Sequence, residues 1–150
     1  SSDLGRGRVD LSQTGMVPGT PTYTAPEMIL GKEDIDGRAD LYSLGCVAYW
    51  LLTGELVFSE SSVGALLVAH AERQPVPPSA RTAMPIPAAL ERLVLLLLEK
   101  RPANRPQTAD ELSRQLAAVD IGEPWTSERA AEWWLQHDPE AFQSDTVMTL

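Results

Sequence analysis

Apolar residues in this chain gather in blocks of helical length, separated by proline and glycine, with no alternating pattern long enough for a sheet strand. The densest block is residues 38–53. Leu41, Leu44, Gly45, Val47, Ala48, Leu51 and Leu52 leave it few polar positions, which predicts a helix buried nearly all round and ended by Gly54. Residues 62–72 predict a second, more polar helix. Residues 88–99 predict an apolar one built on Leu90, Leu93, Val94, Leu96, Leu97 and Leu98. Between these two, Pro75, Pro77, Pro78, Pro85 and Pro87 rule out helix and predict a semi-extended loop. Pro102 and Pro106 bracket a turn. Thr108, with Glu111 three residues on, then reads as a capping box opening a helix to about Val119. Gly122-Glu123-Pro124 breaks the chain before a last helix, about Ser127 to Gln136, which carries Trp133 and Trp134. Upstream, Pro26 to Leu30 predicts one helical turn closed by Gly31. Residues 1–20 read as a mobile loop and the end from Pro139 as frayed. The expected fold class is mainly α.

Composition narrows the function more than the fold. The 150 residues leave room for one domain with one core, and 43% apolar with 22% charged residues suits a globular chain. A net charge of −9 argues against a nucleic-acid backbone as partner. The single cysteine, Cys46, cannot form an internal disulfide, so nothing points to an oxidising compartment. The longest apolar run, Leu93 to Leu98, falls far short of the roughly 18 residues that span a bilayer, and no signal-peptide pattern opens the chain. The start at Ser1-Ser2-Asp3, loop-like and without an initiator Met, leads us to expect part of a longer protein. His70 and His137 stand apart from cysteines and paired carboxylates, so no metal site is expected. Ser43 lacks the G-x-S-x-G context of a nucleophile elbow. Trp133 and Trp134 are expected to pack onto the rest of the chain, with a protein-docking surface as the alternative.

Three blocks carry more specific information. They are Gly19-Thr20-Pro21-Thr22-Tyr23-Thr24-Ala25-Pro26-Glu27, then Asp40-Leu41-Tyr42-Ser43-Leu44-Gly45, then Arg101-Pro102-Ala103-Asn104-Arg105-Pro106. In this order and spacing they resemble eukaryotic-type serine/threonine protein kinases over about residues 1–119. Leu11 to Val17 is similar to the activation loop of bacterial receptor-type members. Pro124-Trp125-Thr126 with Trp133-Trp134 is similar, more loosely, to a tail that follows some bacterial kinase domains. The resemblance implies a partial kinase domain at 1–119, with an activation segment at 1–31 and helices of the large lobe at 32–119. A tail with a short Trp-containing helix would follow at 120–150.

The resemblance also assigns roles. Thr20 would couple the substrate platform to the catalytic Asp and Lys of the catalytic loop. Gly19 and Pro21 would hold that loop in one shape, with Tyr23 beside them. Glu27 and Arg105 would form a buried salt bridge. Asp40 would accept hydrogen bonds from the catalytic loop and brace it. Thr14 and Ser12 match positions that become phosphorylated, where added charge orders a loop near Arg or Lys, and Arg6 and Arg8 lie close by in sequence. Read from residue types alone, Thr20 is a turn threonine and Glu27 and Arg105 are solvated surface charges. Asp40 is then an acid favoured near a helix start.

Departures from the family decide what the chain can do. It has no Gly-rich loop, no V-A-I-K lysine, no H-R-D and no D-F-G. Asp3-Leu4-Gly5 sits in a Ser/Gly/Arg loop and reads as activation loop. Thr24 stands where Met is usual, and Arg101 where Asp is common. The expectation is therefore the substrate-platform part of a bacterial serine/threonine kinase (EC 2.7.11 type). The intact enzyme would use ATP and Mg²⁺ on protein substrates, while these 150 residues alone would bind neither and would be inactive. A cytoplasmic location is expected, with any membrane anchor outside this chain. The rival readings are a non-catalytic helical binding module and a pseudokinase parent. Lost partners around residues 38–53 also imply poor solubility.

Overall fold

The computed structural model describes residues 20–140. Among them there is no β-strand. Six α-helices follow one another: α1 (Pro26–Ile29), α2 (Arg38–Thr53), α3 (Val63–Glu72), α4 (Ala88–Leu97), α5 (Ala109–Ala117) and α6 (Ser127–His137). Short 3₁₀ turns at Pro21–Tyr23, Pro78–Ala80 and Pro102–Asn104 each begin on a proline, whose fixed φ suits a first turn. The chain forms two compact units, Ser1–Asp120 and Ile121–Leu150.

In the first unit α2 is the hub. Tyr42, Cys46 and Tyr49 on one of its sides are at most 1% exposed and meet Ala25, Val57, Phe58, Ala69, Val94 and Leu98. A second cluster, Leu41, Leu93, Leu97 and Leu112, joins α2, α4 and α5. Gly45 sets how closely α2 and α4 approach. A Cβ there would stand 2.7 Å from Leu97 Cβ and 3.2 Å from Leu98 Cδ2. The glycine is required by the approach of the two helices, since its φ is not positive.

The helix ends follow local chemistry. Gly54 takes a left-handed conformation (φ 72°) and closes α2 through its N–H on the Trp50 carbonyl. Ser62 Oγ accepts from Ala65 N–H at the start of α3, and Thr108 Oγ1 accepts from Glu111 N–H at the start of α5. Glu111 reaches back as its sequence position suggested, one residue further than the usual box, to accept from Gln107 N–H at 2.7 Å. The proline-rich stretch is pinned rather than loose. Tyr49 Oη donates to the Val76 carbonyl at 2.8 Å, Arg81 donates to that of Leu56 at 2.9 Å, and Glu91 accepts from Ser79 N–H at 2.7 Å.

Two helices differ from what their sequences predict. The α2 helix is not buried nearly all round. Leu44, Val47 and Trp50 are 38–47% exposed and Leu51 70%, because α4 and the turns at Pro21–Tyr23 and Pro78–Ala80 cover only the other sides. Likewise α3, expected to be the more polar helix, turns Leu67, Ala69 and His70 into the core.

In the second unit, α6 is capped by Thr126, whose Oγ1 accepts from Arg129 N–H at 3.2 Å. Trp133 and Trp134 meet edge to face, and Trp133 stacks on His137 with ring centroids 4.2 Å apart. The terminal stretch expected to fray lies outside the described residues from 141 onward.

Candidate functional site

The residues singled out by the three sequence blocks fall around the N-terminal half of α2. Glu27, on α1, and Arg105, after the Pro102–Asn104 turn, are 78 positions apart in sequence and meet in a buried bidentate pair. The Arg105 Nη1 and Nη2 atoms donate to Glu27 Oε1 and Oε2 at 2.7 and 2.8 Å. Arg105 does more than neutralise Glu27. Nε donates to the Glu99 carbonyl at 2.8 Å, Nη1 to that of Arg38 at 2.7 Å, and Nη2 to that of Lys100 at 3.2 Å. All five N–H groups of a guanidinium are thus used, which is the condition for burying the ion without an unmet donor. The Tyr42 ring lies 5.0 Å from the same guanidinium carbon and covers its face.

Thr20 is exposed and stands immediately before the Pro21–Tyr23 turn. Its carbonyl accepts from Tyr23 N–H at 3.1 Å and from the Thr24 hydroxyl at 3.3 Å, so the threonine found where Met is usual stiffens this turn. Ser43 on α2 donates to the Tyr23 carbonyl at 2.7 Å, fastening the turn to the helix. Asp40 is exposed near the α2 N-terminus and makes no hydrogen bond or ion pair among the described residues. The geometry therefore joins Tyr23, Glu27 and Arg105 to one frame and leaves the Asp40 side chain without a partner. Gly19, Thr14 and Ser12 lie outside the described residues.

Beneath this frame is a buried polar cluster that residue-by-residue reading missed. His70, fully buried on α3, has its Nδ1 2.9 Å from Tyr42 Oη. Burial first, and then the nearby Lys100 charge, push the His70 pKa down to about 4, so the ring is neutral at pH 7. Lys100 donates to the His70 carbonyl at 2.9 Å and lies 4.8 Å from the Phe58 ring centroid, and burial lowers its pKa to about 8. Burial also raises the Cys46 thiol to about 12, making it an inert core residue rather than a nucleophile. Arg38 on α2 grips Asp36 with two nitrogens and reaches Gln107 at 2.9 Å. Ser43 stands in the Asp40–Gly45 block, whereas the only sequence hint of Lys100 is a lysine just before a proline turn, which carries no type-specific pattern.

Among the described residues no group of three His, Cys, Asp or Glu side chains is placed to hold a metal ion. None of the described helices is long and apolar enough to cross a membrane.

Comparison with known proteins agrees with this geometry. The family model described as "Protein kinase domain" matches residues 2–116. The chain is similar to the serine/threonine-protein kinase PknB of Mycobacterium tuberculosis, 44% identical over 114 residues, which is 76% of this chain and 18% of that protein. It is 49% identical over 94 residues to the serine/threonine-protein kinase Pkn1 of Myxococcus xanthus (63% of this chain, 13% of that protein). It is 40% identical over 111 residues to pkn3 of the same organism (73% and 20%). The chain thus spans a fifth or less of the length of these relatives. A helical frame locked by Glu27 and Arg105, in a chain matched by that model over most of its length, belongs to the protein kinase domain family.

Proposed function

We propose that this chain is the substrate-platform part of a bacterial serine/threonine protein kinase that transfers the γ-phosphate of ATP to Ser or Thr hydroxyls of proteins. The observation that carries this reading is the Glu27–Arg105 pair. It fastens the segment bearing Thr20 and Tyr23 to the helical core, which is what a platform for a protein substrate requires. The kinase part would end near residue 119, and the α6 tail would follow as a separate piece.

The chain's share of the transfer is positioning. Gly19, Thr20 and Tyr23 would present the substrate segment, while Ser43 and the Glu27–Arg105 pair hold that segment's shape. Asp40, exposed and unpartnered, has both lone-pair sets available to accept from a catalytic loop packed over the α2 start. ATP and Mg²⁺ would be held by groups outside these 150 residues. The metal would supply charge neutralisation on the phosphates. Phosphorylation of Thr14 and Ser12 would order the segment before Gly19. Use of ATP suits a cytoplasmic location, with any membrane anchor elsewhere in the parent.

The reading frame upstream of the Ser1 codon tests the proposal, together with a transfer assay on its product. An H-R-D and a D-F-G in that frame, transfer by the whole product, and none by the 150 residues alone are the expected results. A frame without those motifs, or transfer by the isolated chain, would overturn it.

A further inference from the structure

The Pro21–Tyr23 turn packs against two helices, α2 and α3. From α2 come two consecutive side chains that diverge. Ser43 Oγ donates to the Tyr23 carbonyl at 2.7 Å, while Tyr42 Oη lies 2.9 Å from Nδ1 of His70 on α3. The residue before Tyr23 is reached from α3. The Thr22 backbone is the hydrogen-bonding group that favours a proton on the His70 ring, against the larger effect of burial. Two successive residues of the turn are thus tied to two successive residues of α2, one directly and the other through His70.

His70 is fitted to that task. Its ring is fully buried and meets Phe58 and Tyr42 edge to face, with centroids 5.1 and 5.8 Å away. Lys100 holds the backbone carbonyl of the same residue at 2.9 Å. Ring and backbone are therefore both fixed, as a group that positions another must be. The tautomer follows from the partners. Burial pushes the Tyr42 phenol above its ordinary range, so Oη keeps its proton and donates. Nδ1 must then accept, and the proton of the neutral imidazole sits on Nε2. The ring becomes a rigid link with an acceptor at one end and a donor at the other. An apolar side chain of similar size would fill the space without joining a phenol to a backbone carbonyl.

We propose that His70 is a positioning residue for the protein substrate, its Nε2–H holding the Thr22 carbonyl and so fixing the turn beneath the substrate segment. The role rests on the platform reading given above and adds to it a residue of α3 that lies outside the three sequence blocks.

The test uses the product of the whole reading frame that contains Ser1, with KM and kcat measured separately for a protein substrate and for ATP. His70→Leu should raise the protein-substrate KM about fivefold, the scale of one hydrogen bond, and leave the ATP KM within about twofold. His70→Gln, whose amide can stand where Nε2 stood, should recover most of that loss. His70→Asn, whose amide reaches only the Nδ1 position, should not. Leu112→Ala, a truncation in the other apolar cluster, should lower the melting temperature and change neither KM. Nitrogen spectra of the histidine-labelled product should show the Nε2–H form of the His70 ring. A protein-substrate KM unchanged in His70→Leu, an equal rise in the ATP KM, like behaviour of the Gln and Asn variants, or a proton on Nδ1 would each overturn the role and leave the kinase reading standing. A wild-type product that transfers no phosphate would overturn that reading, and the role with it.

Discussion

Two carboxylates on neighbouring elements meet opposite fates. Glu27 is 7% exposed, and both its oxygens are held by a guanidinium that is itself fully bonded. Asp40, thirteen positions on, is exposed and unpartnered, and it leads into an equally unpartnered apolar stripe of Leu44, Val47 and Leu51. The anchor finds all its partners among the described residues, while the outward side of α2 is left exposed by them. A helix can therefore be a finished core element on one side and carry exposed apolar residues on the other. The difference lies in how many polar and apolar groups find partners, and helix propensity plays little part in it.

The comparison can be broken most directly at the anchor. Arg105→Ala leaves Glu27 buried and uncompensated and should remove about 3–5 kcal/mol of stability, read as the shift in urea midpoint. Arg105→Lys should recover little, since an ammonium offers three donors against the five in use. A loss under 1 kcal/mol for Arg105→Ala would equate the two carboxylates and dissolve the contrast. Gly45→Ala should come next, at about 1–3 kcal/mol, because its Cβ would meet that of Leu97 at 2.7 Å.

Acid offers a probe of similar size. His70 titrates near 4 in the folded chain against 6.5 when exposed, so the unfolded state takes up more protons between those values. His70 therefore lends full stability above about pH 6.5, and that contribution is lost as pH falls toward 4. The slope of stability against pH in this window should flatten in His70→Gln. Ser43→Ala, which frees the Tyr23 carbonyl, should cost about 1 kcal/mol by the same denaturation measurement. The smallest effects should come from the open side. Asp40→Asn and Leu51→Glu should each change stability by no more than about 0.5 kcal/mol, while Leu51→Glu raises the concentration at which the chain precipitates. A large loss from Leu51→Glu would show that the stripe is covered in solution.

Periodicity and punctuation located the helices well, because their ends rest on local chemistry: Gly54 in the left-handed region, Ser62 and Thr108 as caps. The anchor was legible for a different reason. Glu27 and Arg105 sit in motif blocks whose spacing is itself informative. What stayed hidden depends on distant neighbours. The composition of residues 38–53 cannot say which side is covered, since Leu44 and Leu41 are equally apolar and only one is buried. The His70–Tyr42–Lys100 cluster joins α3, α2 and the link after α4, and each residue alone is unremarkable in its own segment.

The span of the Glu27–Arg105 pair has a consequence for how the chain folds. The helix caps link residues three apart and can form as soon as each turn does, but the pair closes 78 positions of chain. Ring closure over that distance is entropically late, and it must wait for α2, α3 and α4 to collapse. Arg105 should then act as a latch on the finished state. Its removal should accelerate unfolding and leave the refolding rate nearly unchanged, a separation visible as a shift in one arm of the folding chevron.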